Sequence, residues 1–128
     1  MEDDVADPND RLFEMARSGD AASLGQHIDA GVQVNLTNQN GDSLLMLAAY
    51  HGHAAAVQAL IDRGADVNRP NDAGQTPLAG AVFKGDDDVV DALLAAGADP
   101  RAGHPTAIDA AQMFGRADYL DRLMRPLE

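Results

Sequence analysis

The sequence repeats itself every 33 residues, and this period constrains the fold more than any other feature of the chain. Two series of glycines carry it: Gly19, Gly52 and Gly85, and then Gly31, Gly64 and Gly97. A fixed period of this length is typical of folds in which one small supersecondary unit is copied and stacked. One unit alone cannot bury its apolar face, so successive copies must pack together into a continuous core.

Each unit has the pattern of two short helices. In the third unit, apolar residues recur at helical spacing in two groups: Leu78, Ala81 and Val82, and then Val89, Val90, Leu93 and Leu94. The sequence therefore predicts one helix for each group, with the apolar stripes facing a shared core.

The ends of these two helices are also marked in the sequence. Thr76 is a natural N-cap, and Pro77 follows at the first helical position, where its missing N–H costs nothing. Gly85 is expected to let the chain turn between the helices, and Gly97 to end the second helix in a left-handed conformation. We interpret the acidic run 86–88 as a solvated start of the second helix, where the helix dipole favours negative charge.

Three stretches give the chain its resemblance to a known family: Gly74-Gln75-Thr76-Pro77-Leu78, Leu47-Ala48-Ala49-Tyr50-His51-Gly52-His53, and Gly64-Ala65-Asp66-Val67-Asn68. They open a first helix, turn from it into the second, and lead into the following loop. With the period of about 33 residues, they make the chain resemble an ankyrin repeat protein. Alanine, aspartate and arginine are frequent and lysine occurs once, at Lys84, a bias that favours a bacterial source with a GC-rich genome.

The resemblance implies an all-α fold, a solenoid of four stacked helix-turn-helix units with hairpin-like loops. The units are expected at about 8–34, 35–67, 68–100 and 101–128, with the terminal two acting as caps. An acidic extension is expected over residues 1–9, before a repeat domain over 10–128.

The composition of the chain excludes several classes of function. The chain has 128 residues and a mass of 13.4 kDa, one domain's worth, and no cysteine, which excludes disulfides and thiolate chemistry. Its 21 acidic and 9 basic residues give a net charge of −12, which argues against nucleic acid or an anionic membrane as partner. The first residues, Met-Glu-Asp-Asp, lack the pattern of a secretory signal, so a cytoplasmic location is expected.

In ankyrin proteins, partners bind on the concave side formed by the first helices and the loops, so the resemblance implies a partner-binding surface here. Residues two before each inter-helix glycine should stack along that side: Arg17, Tyr50, Phe83 and Met113. Their neighbours His51, Lys84 and Phe114 and the loop residues Asn40, Asp42, Asp72 and Gln75 extend the candidate surface. The alternative is structural: Phe83 and Phe114 could fill gaps between alanine-rich helices, and Asn and Asp also stabilise turns.

Three departures from the family pattern bear on the site. Gly80 lies inside a predicted helix, where it costs about 1 kcal/mol relative to alanine, and a close backbone contact, the approach of a ligand or a tolerated flaw would each explain it. The interval from Gly85 to Gly115 is 30 residues, which predicts a clipped or missing final loop. His27 takes a position that is leucine in the next two units, and we expect it at a partly exposed edge.

The favoured function is therefore a non-enzymatic protein-binding module that acts as a monomer, without a cofactor, as an adaptor, inhibitor or regulatory subunit. Its negative charge favours a partner with a basic patch. A second hypothesis is an acidic decoy that occupies the site of a nucleic-acid-binding protein. A third, a metal-binding protein or enzyme using His51 and His53, has little support, because no nucleophile motif or phosphate loop is present.

Overall fold

A computed structural model describes residues 9–125. The described residues form eight helices and no β-strand beyond an isolated bridge between Thr37 and Ser43. The helices are α1 (Asp10–Ser18), α2 (Ala21–Asp29), α3 (Leu44–Tyr50), α4 (Ala54–Ile61), α5 (Pro77–Lys84), α6 (Asp87–Ala95), α7 (Ala107–Met113) and α8 (Ala117–Leu123). Most of the predicted acidic extension, residues 1–8, lies outside the described residues, as do residues 126–128.

The helices stack as consecutive pairs in two layers. The inner layer contains α1, α3, α5 and α7, each packed against the next. The outer layer contains α2, α4, α6 and α8, in which α4 packs against both α2 and α6. Within each pair the two helices also contact each other. This arrangement confirms the predicted all-α solenoid of four helix-turn-helix units.

The core between the layers is continuous and combines small alanine side chains with leucine and valine. Ala48, Ala81 and Ala111 are fully buried at the centres of three successive inner helices. Because methyl side chains take little space, neighbouring inner helices can approach closely. Leucine and valine from the outer helices, including Val57 and Leu93, complete the core.

The inner helices α3, α5 and α7 begin at side-chain caps, of the kind predicted for the third unit. The side-chain oxygen of Ser43 accepts a hydrogen bond from the backbone of Met46 at 3.0 Å, and that of Thr76 accepts one from Ala79 at 3.2 Å. Each bond satisfies an N–H that has no partner within its own helix. Pro77 follows Thr76 at the first helical position, as expected.

Glycines with positive φ end several of the helices. Gly85 caps α5 with φ 74°, and Gly97 has φ 89° just beyond α6, which confirms the predicted left-handed turns. The turn at Gly19 also needs its missing side chain, because a Cβ there would lie 2.5 Å from Nδ1 of His53 in the next unit. His53 donates from Nε2 to the carbonyl of Arg17 at 2.7 Å, which joins the first two units.

The loops before α3 and α5 are built alike. The backbone N–H of Asn38 donates to the carbonyl of Asp42 at 3.0 Å, and Asn71 repeats this bond to Gln75 at 2.9 Å. The loop before α7, where the period shortens, is held differently: the His104 N–H donates to the carbonyl of Gly74 at 2.8 Å. The loops therefore form a connected edge beside the inner helices.

The acidic run 86–88 begins α6 with Asp87 and Asp88 exposed in its first turn, as predicted, and two of its carboxylates also make specific contacts. Asp86 caps α6 by accepting a hydrogen bond from Val89. Asp87 accepts a short hydrogen bond from the hydroxyl of Tyr119, whose side chain is fully buried. The carboxylate of Asp87 therefore joins the last two units, a role that a pattern of adjacent charges does not reveal.

His27 lies at an exposed edge of α2, whereas Leu60 and Leu93, one and two periods later, are fully buried. The first unit has no described unit before it, so a polar residue is tolerated there. This agrees with the edge position predicted for a terminal repeat.

Candidate protein-binding face

A largely apolar groove of about 190 Å³ crosses the inner layer from α3 over α5 to α7. Its lining comes from three successive units: Met46, Tyr50, Gln75, Ala79, Gly80, Phe83, Pro105, Ala110, Met113 and Phe114. Five of these were predicted as partner-binding residues from the sequence. We call this surface the groove.

Small residues lie beneath the groove. Gly80, Ala79 and Ala110 are buried, and all three lie along α5 and α7. A Cβ placed on Gly80 would be 3.4 Å from the Met46 methyl carbon and 3.5 Å from Cδ1 of Tyr50. Both are ordinary van der Waals distances, so the packing of α3 on α5 does not itself require glycine at position 80.

Large apolar side chains line one side of the groove and remain open to solvent. The rings of Phe83 and Phe114 meet edge to face with their centroids 5.1 Å apart. Their side chains are nevertheless exposed, Phe83 to 52% and Phe114 to 49%, and Met113 beside them is exposed to 70%. Their contact does not bury them, so an apolar patch stays uncovered on this face.

Tyr50 forms the opposite side of the groove. Its ring contacts the side chains of one lysine and one histidine. The ammonium group of Lys84 lies 4.8 Å from the centre of the Tyr50 ring, a cation–π arrangement. The ring of His51 meets Tyr50 edge to face with centroids 5.5 Å apart. Lys84 and His51 are thus placed at the edge of the groove where the inner helices end.

A hydrogen-bonded network fixes the loop end of the groove. The side-chain oxygen of Asn71 accepts from the backbone N–H groups of Ala73 and Gln75 at 3.0 Å each. Its amide nitrogen therefore faces the other way, and donates to Asp42 at 2.8 Å and to Oε1 of Gln75 at 2.9 Å. Because this sets the oxygen of Gln75 toward Asn71, the Gln75 amide nitrogen is left as a donor.

The remaining predicted partner-binding residues do not line the groove. Arg17 pairs with Glu14 at 2.9 Å and, with Asn40, lines a separate polar hollow between α1 and the first loop. Asp72 lies on the loop edge, where its backbone N–H donates to the carbonyl of Asn40 at 3.0 Å. The structure therefore divides the candidate surface into an apolar groove and a polar edge.

Sequence reasoning missed several residues of the groove, among them Met46, Ala79, Ala110 and Pro105. Met46 carried a usable signal, since it precedes Tyr50 by four residues and so lies on the same face of α3. Pro105 carried none, because it falls in the loop where the period shortens.

The described residues give no support to a metal site. Between residues 9 and 125, no group of three or more His, Asp or Glu side chains is arranged to hold a metal ion. His51 contacts Tyr50, whereas His53 is committed to the carbonyl of Arg17. The two imidazoles thus serve separate contacts.

Comparison with known proteins agrees with this architecture. A family profile described as ankyrin repeats, in three copies, matches residues 12–104, which spans the first three helix pairs and ends before α7. The chain is 51% identical over 41 residues to an ankyrin repeat protein of Pseudomonas aeruginosa. That alignment covers 32% of this chain and 24% of the relative, so it spans about a quarter of the relative's length.

The family match also bears on function. Ankyrin repeats in general mediate binding between proteins and are in general not enzymes. Among residues 9–125, the helices all fall short of the length and apolar character that crossing a bilayer requires. By its period, its stacked helix pairs and the extent of the match, the chain belongs to the ankyrin repeat family.

Proposed function

We propose that this protein is a non-enzymatic protein-binding module, acting as an adaptor, inhibitor or regulatory subunit, and that its partner covers the groove. The exposed aromatic and methionine side chains on the inner layer are the observation that carries this proposal. Phe83 and Met113 are 52% and 70% exposed although they adjoin a closely packed core.

The composition of the groove supports a protein interface. Aromatic residues and methionine are enriched at the centres of such interfaces and frequently provide most of the binding energy. Tyr50, Phe83, Met113 and Phe114 are of these types and come from three successive units. A partner that covers them would remove a connected apolar surface from water, worth about 25 cal/mol per Å².

The alternative that Phe83 and Phe114 merely fill gaps is less well supported. A residue that fills a gap loses its exposed surface, whereas half of each ring remains accessible. The space between α5 and α7 is already occupied by small buried residues such as Ala81 and Ala111. Exposed rings of this size contribute more in a complex than in the free chain.

Charge influences which partner is favoured. The net charge of −12 attracts a partner with a basic patch over long distances and accelerates their encounter at low salt. Asp42 and Asp72 lie on the loop edge beside the groove, where such a patch could contact them. A cytoplasmic monomer is part of the same proposal.

The test is capture of partners from a native bacterial lysate with matched variants of the full chain. We expect the Tyr50→Ala/Phe83→Ala variant to bind the captured protein at least about tenfold more weakly, because it removes two interface anchors. A control variant, Gln26→Ala/Gln58→Ala, changes two exposed outer-layer residues and should bind normally. Tyr50 is half-buried, so its replacement also affects folding. Phe83→Ala alone is therefore a second test of binding that leaves Tyr50 in place.

Urea unfolding followed by circular dichroism shows whether each variant is folded at the temperature of capture. If folded inner-layer variants retain full binding, the groove is not the interface.

A second candidate, an acidic decoy of a nucleic-acid-binding protein, is favoured only by the charge of −12. It predicts binding that falls steeply as salt rises, because exposed charges are screened within about 10 Å at 0.1 M salt. Capture across a salt series separates the two candidates. Binding through the groove should persist at high salt, and binding that is indifferent to ionic strength would eliminate the decoy.

A further inference from the structure

We infer that the groove receives an extended segment of the partner, with one large apolar side chain seated over Gly80 and an Asp or Glu side chain paired with Lys84. This inference rests on the proposed function and specifies the chemistry of the element that the groove accepts. Three observations carry it: the floor at Gly80, the position of Lys84, and the orientation of the Gln75 amide.

The floor at Gly80 makes room for a single anchor. The groove of about 190 Å³ is bordered by Tyr50 on one side and by Phe83 and Phe114 on the other. Because Gly80 has no side chain, a partner group can approach the backbone of α5 there. A space of this size, lined by rings and methyl groups, suits one large apolar side chain.

Lys84 supplies an uncommitted positive charge at the edge of the groove. Arg17, Arg63, Arg116, Arg122 and Arg125 form ion pairs with carboxylates in the described chain. Within residues 9–125, Lys84 forms no such pair, like Arg11, Arg69 and Arg101, and its ammonium group lies 4.8 Å from the centre of the Tyr50 ring at the groove. A carboxylate arriving with the partner would pair with it beside an apolar surface, where water screens the attraction less.

Gln75 supplies a hydrogen-bond donor at the opposite end. Its oxygen accepts from Asn71, and within residues 9–125 its side-chain nitrogen has no acceptor. The interior of a partner helix has no free carbonyl to offer, since each one is bonded within that helix. An extended segment presents free carbonyls along its edge, which favours the extended form.

The spacing along α5 sets where the acid lies in an extended segment. Lys84 lies four residues after Gly80, about 6 Å along the helix axis. In an extended chain, side chains two residues apart point to the same face and are separated by about 6.6 Å. A carboxylate two positions from the apolar anchor would therefore reach Lys84 while the anchor remains over Gly80.

The experiment uses a display library of random linear peptides selected against the full chain. We expect enriched peptides to carry a large apolar residue with Asp or Glu two positions away. Synthetic copies, measured by fluorescence anisotropy, should bind Lys84→Glu at least about tenfold more weakly, and exchanging the peptide's acid for lysine should restore binding to that variant. Gly80→Leu should abolish binding, and Gly80→Ala provides a less demanding substitution should that variant fail to fold.

The outcomes separate this inference from the proposed function. Peptides that need Phe83 but carry no acid, or that bind Lys84→Glu normally, would overturn the inference and leave a groove that binds proteins. An acid four positions from the anchor in a peptide that becomes helical would overturn the extended form. The same selection is run against the natural chain and against Gly80→Leu. If no peptide is enriched on the natural chain relative to this variant, the inference is also overturned. Peptides that bind the Tyr50→Ala/Phe83→Ala variant normally would contradict the proposed binding face itself.

Discussion

The inner and outer layers of this protein join neighbouring units by different means. Inner helices meet through small side chains, so Ala48, Ala81 and Ala111 are fully buried and the helices pack closely. Outer helices are joined partly by long polar side chains that reach from one unit to the next. Arg63 forms a two-pronged contact with Asp29 at 3.0 and 3.2 Å, and Arg122 pairs with Asp91.

This difference separates stability from recognition. In the outer layer, several large or charged side chains, such as Arg63, Arg122 and Tyr119, already make contacts within the chain. In the inner layer, the small residues hold the helices together, and the large ones at the helix ends, such as Phe83 and Met113, remain exposed. Substitutions in the outer layer should therefore change mainly the free energy of unfolding, and exposed inner-layer substitutions mainly the affinity for a partner.

The largest effect is expected at Tyr119, which fixes α8 to α6 and is fully buried. Tyr119→Ala leaves a cavity and should lower the free energy of unfolding by about 3–5 kcal/mol, as for other large buried aromatic residues. Tyr119→Phe keeps the ring but removes the hydrogen bond to Asp87, and should cost about 0.5–1.5 kcal/mol. Urea unfolding followed by circular dichroism measures both, and an alanine variant as stable as the natural chain would contradict the described packing.

A loss of stability at alkaline pH should come from the same residue. Burial, followed by the hydrogen bond to Asp87, raises the pKa of Tyr119 to about 12 from its ordinary value of 10.0. Its contribution to stability should be complete below about pH 10 and be lost as the pH rises toward 12, because the unfolded chain then releases the proton more readily. The urea concentration at the midpoint of unfolding is measured across this pH range. We expect it to fall more steeply with rising pH for the natural chain than for Tyr119→Phe. Equal declines would show that Tyr119 ionises as it does in water.

Gly80→Ala should increase stability while it weakens binding. Gly80 is helical without a positive φ, so alanine should add about 0.5–1 kcal/mol of stability. The new methyl group would make ordinary contacts with Met46 and Tyr50 at 3.4 and 3.5 Å, and would reduce the space in the groove. Unfolding and binding measured on the same preparation test this, and a destabilised variant would show that the two helices are already too close for a methyl group.

The smallest effect is expected for Arg63→Ala, in the outer layer. Arg63 is joined to Asp29, but both side chains are partly exposed, which limits such a pair to less than about 1 kcal/mol. The loss should shrink when unfolding is measured in 1 M salt, because salt screens exposed charges. Partner capture should be unchanged, whereas a variant that loses its partner would place part of the interface on the outer layer.

Most of the fold could be predicted from the sequence, because the glycine period and the helix caps are local signals. Thr76, Pro77 and Gly85 mark one helix through chemistry that acts within a few residues. The hydrogen bond between Tyr119 and Asp87 could not be predicted, since it depends on how side chains reach between units. The interval from Gly85 to Gly115 is 30 residues instead of 33. Counted from these glycines, Tyr119 corresponds to Val89, which makes its hydrogen bond harder to predict.

The candidate site could be predicted only in part. Tyr50, Phe83 and Phe114 were found because the period places them beside the inter-helix glycines. Their separation from Arg17 and Asn40, which line a different hollow, depends on side-chain packing that a period does not contain. The orientation of Gln75 likewise follows from a network of Asn71 that only the folded loop reveals.

Hydrogen exchange of the full chain, with and without its captured partner, tests the central claim most directly. We expect the partner to slow exchange at the ends of α3, α5 and α7 that border the groove, while α2 and α4 exchange as they do in the free chain. Protection confined to α2 and α4, with the groove unaffected, would contradict the claim that the exposed inner-layer rings form the binding surface.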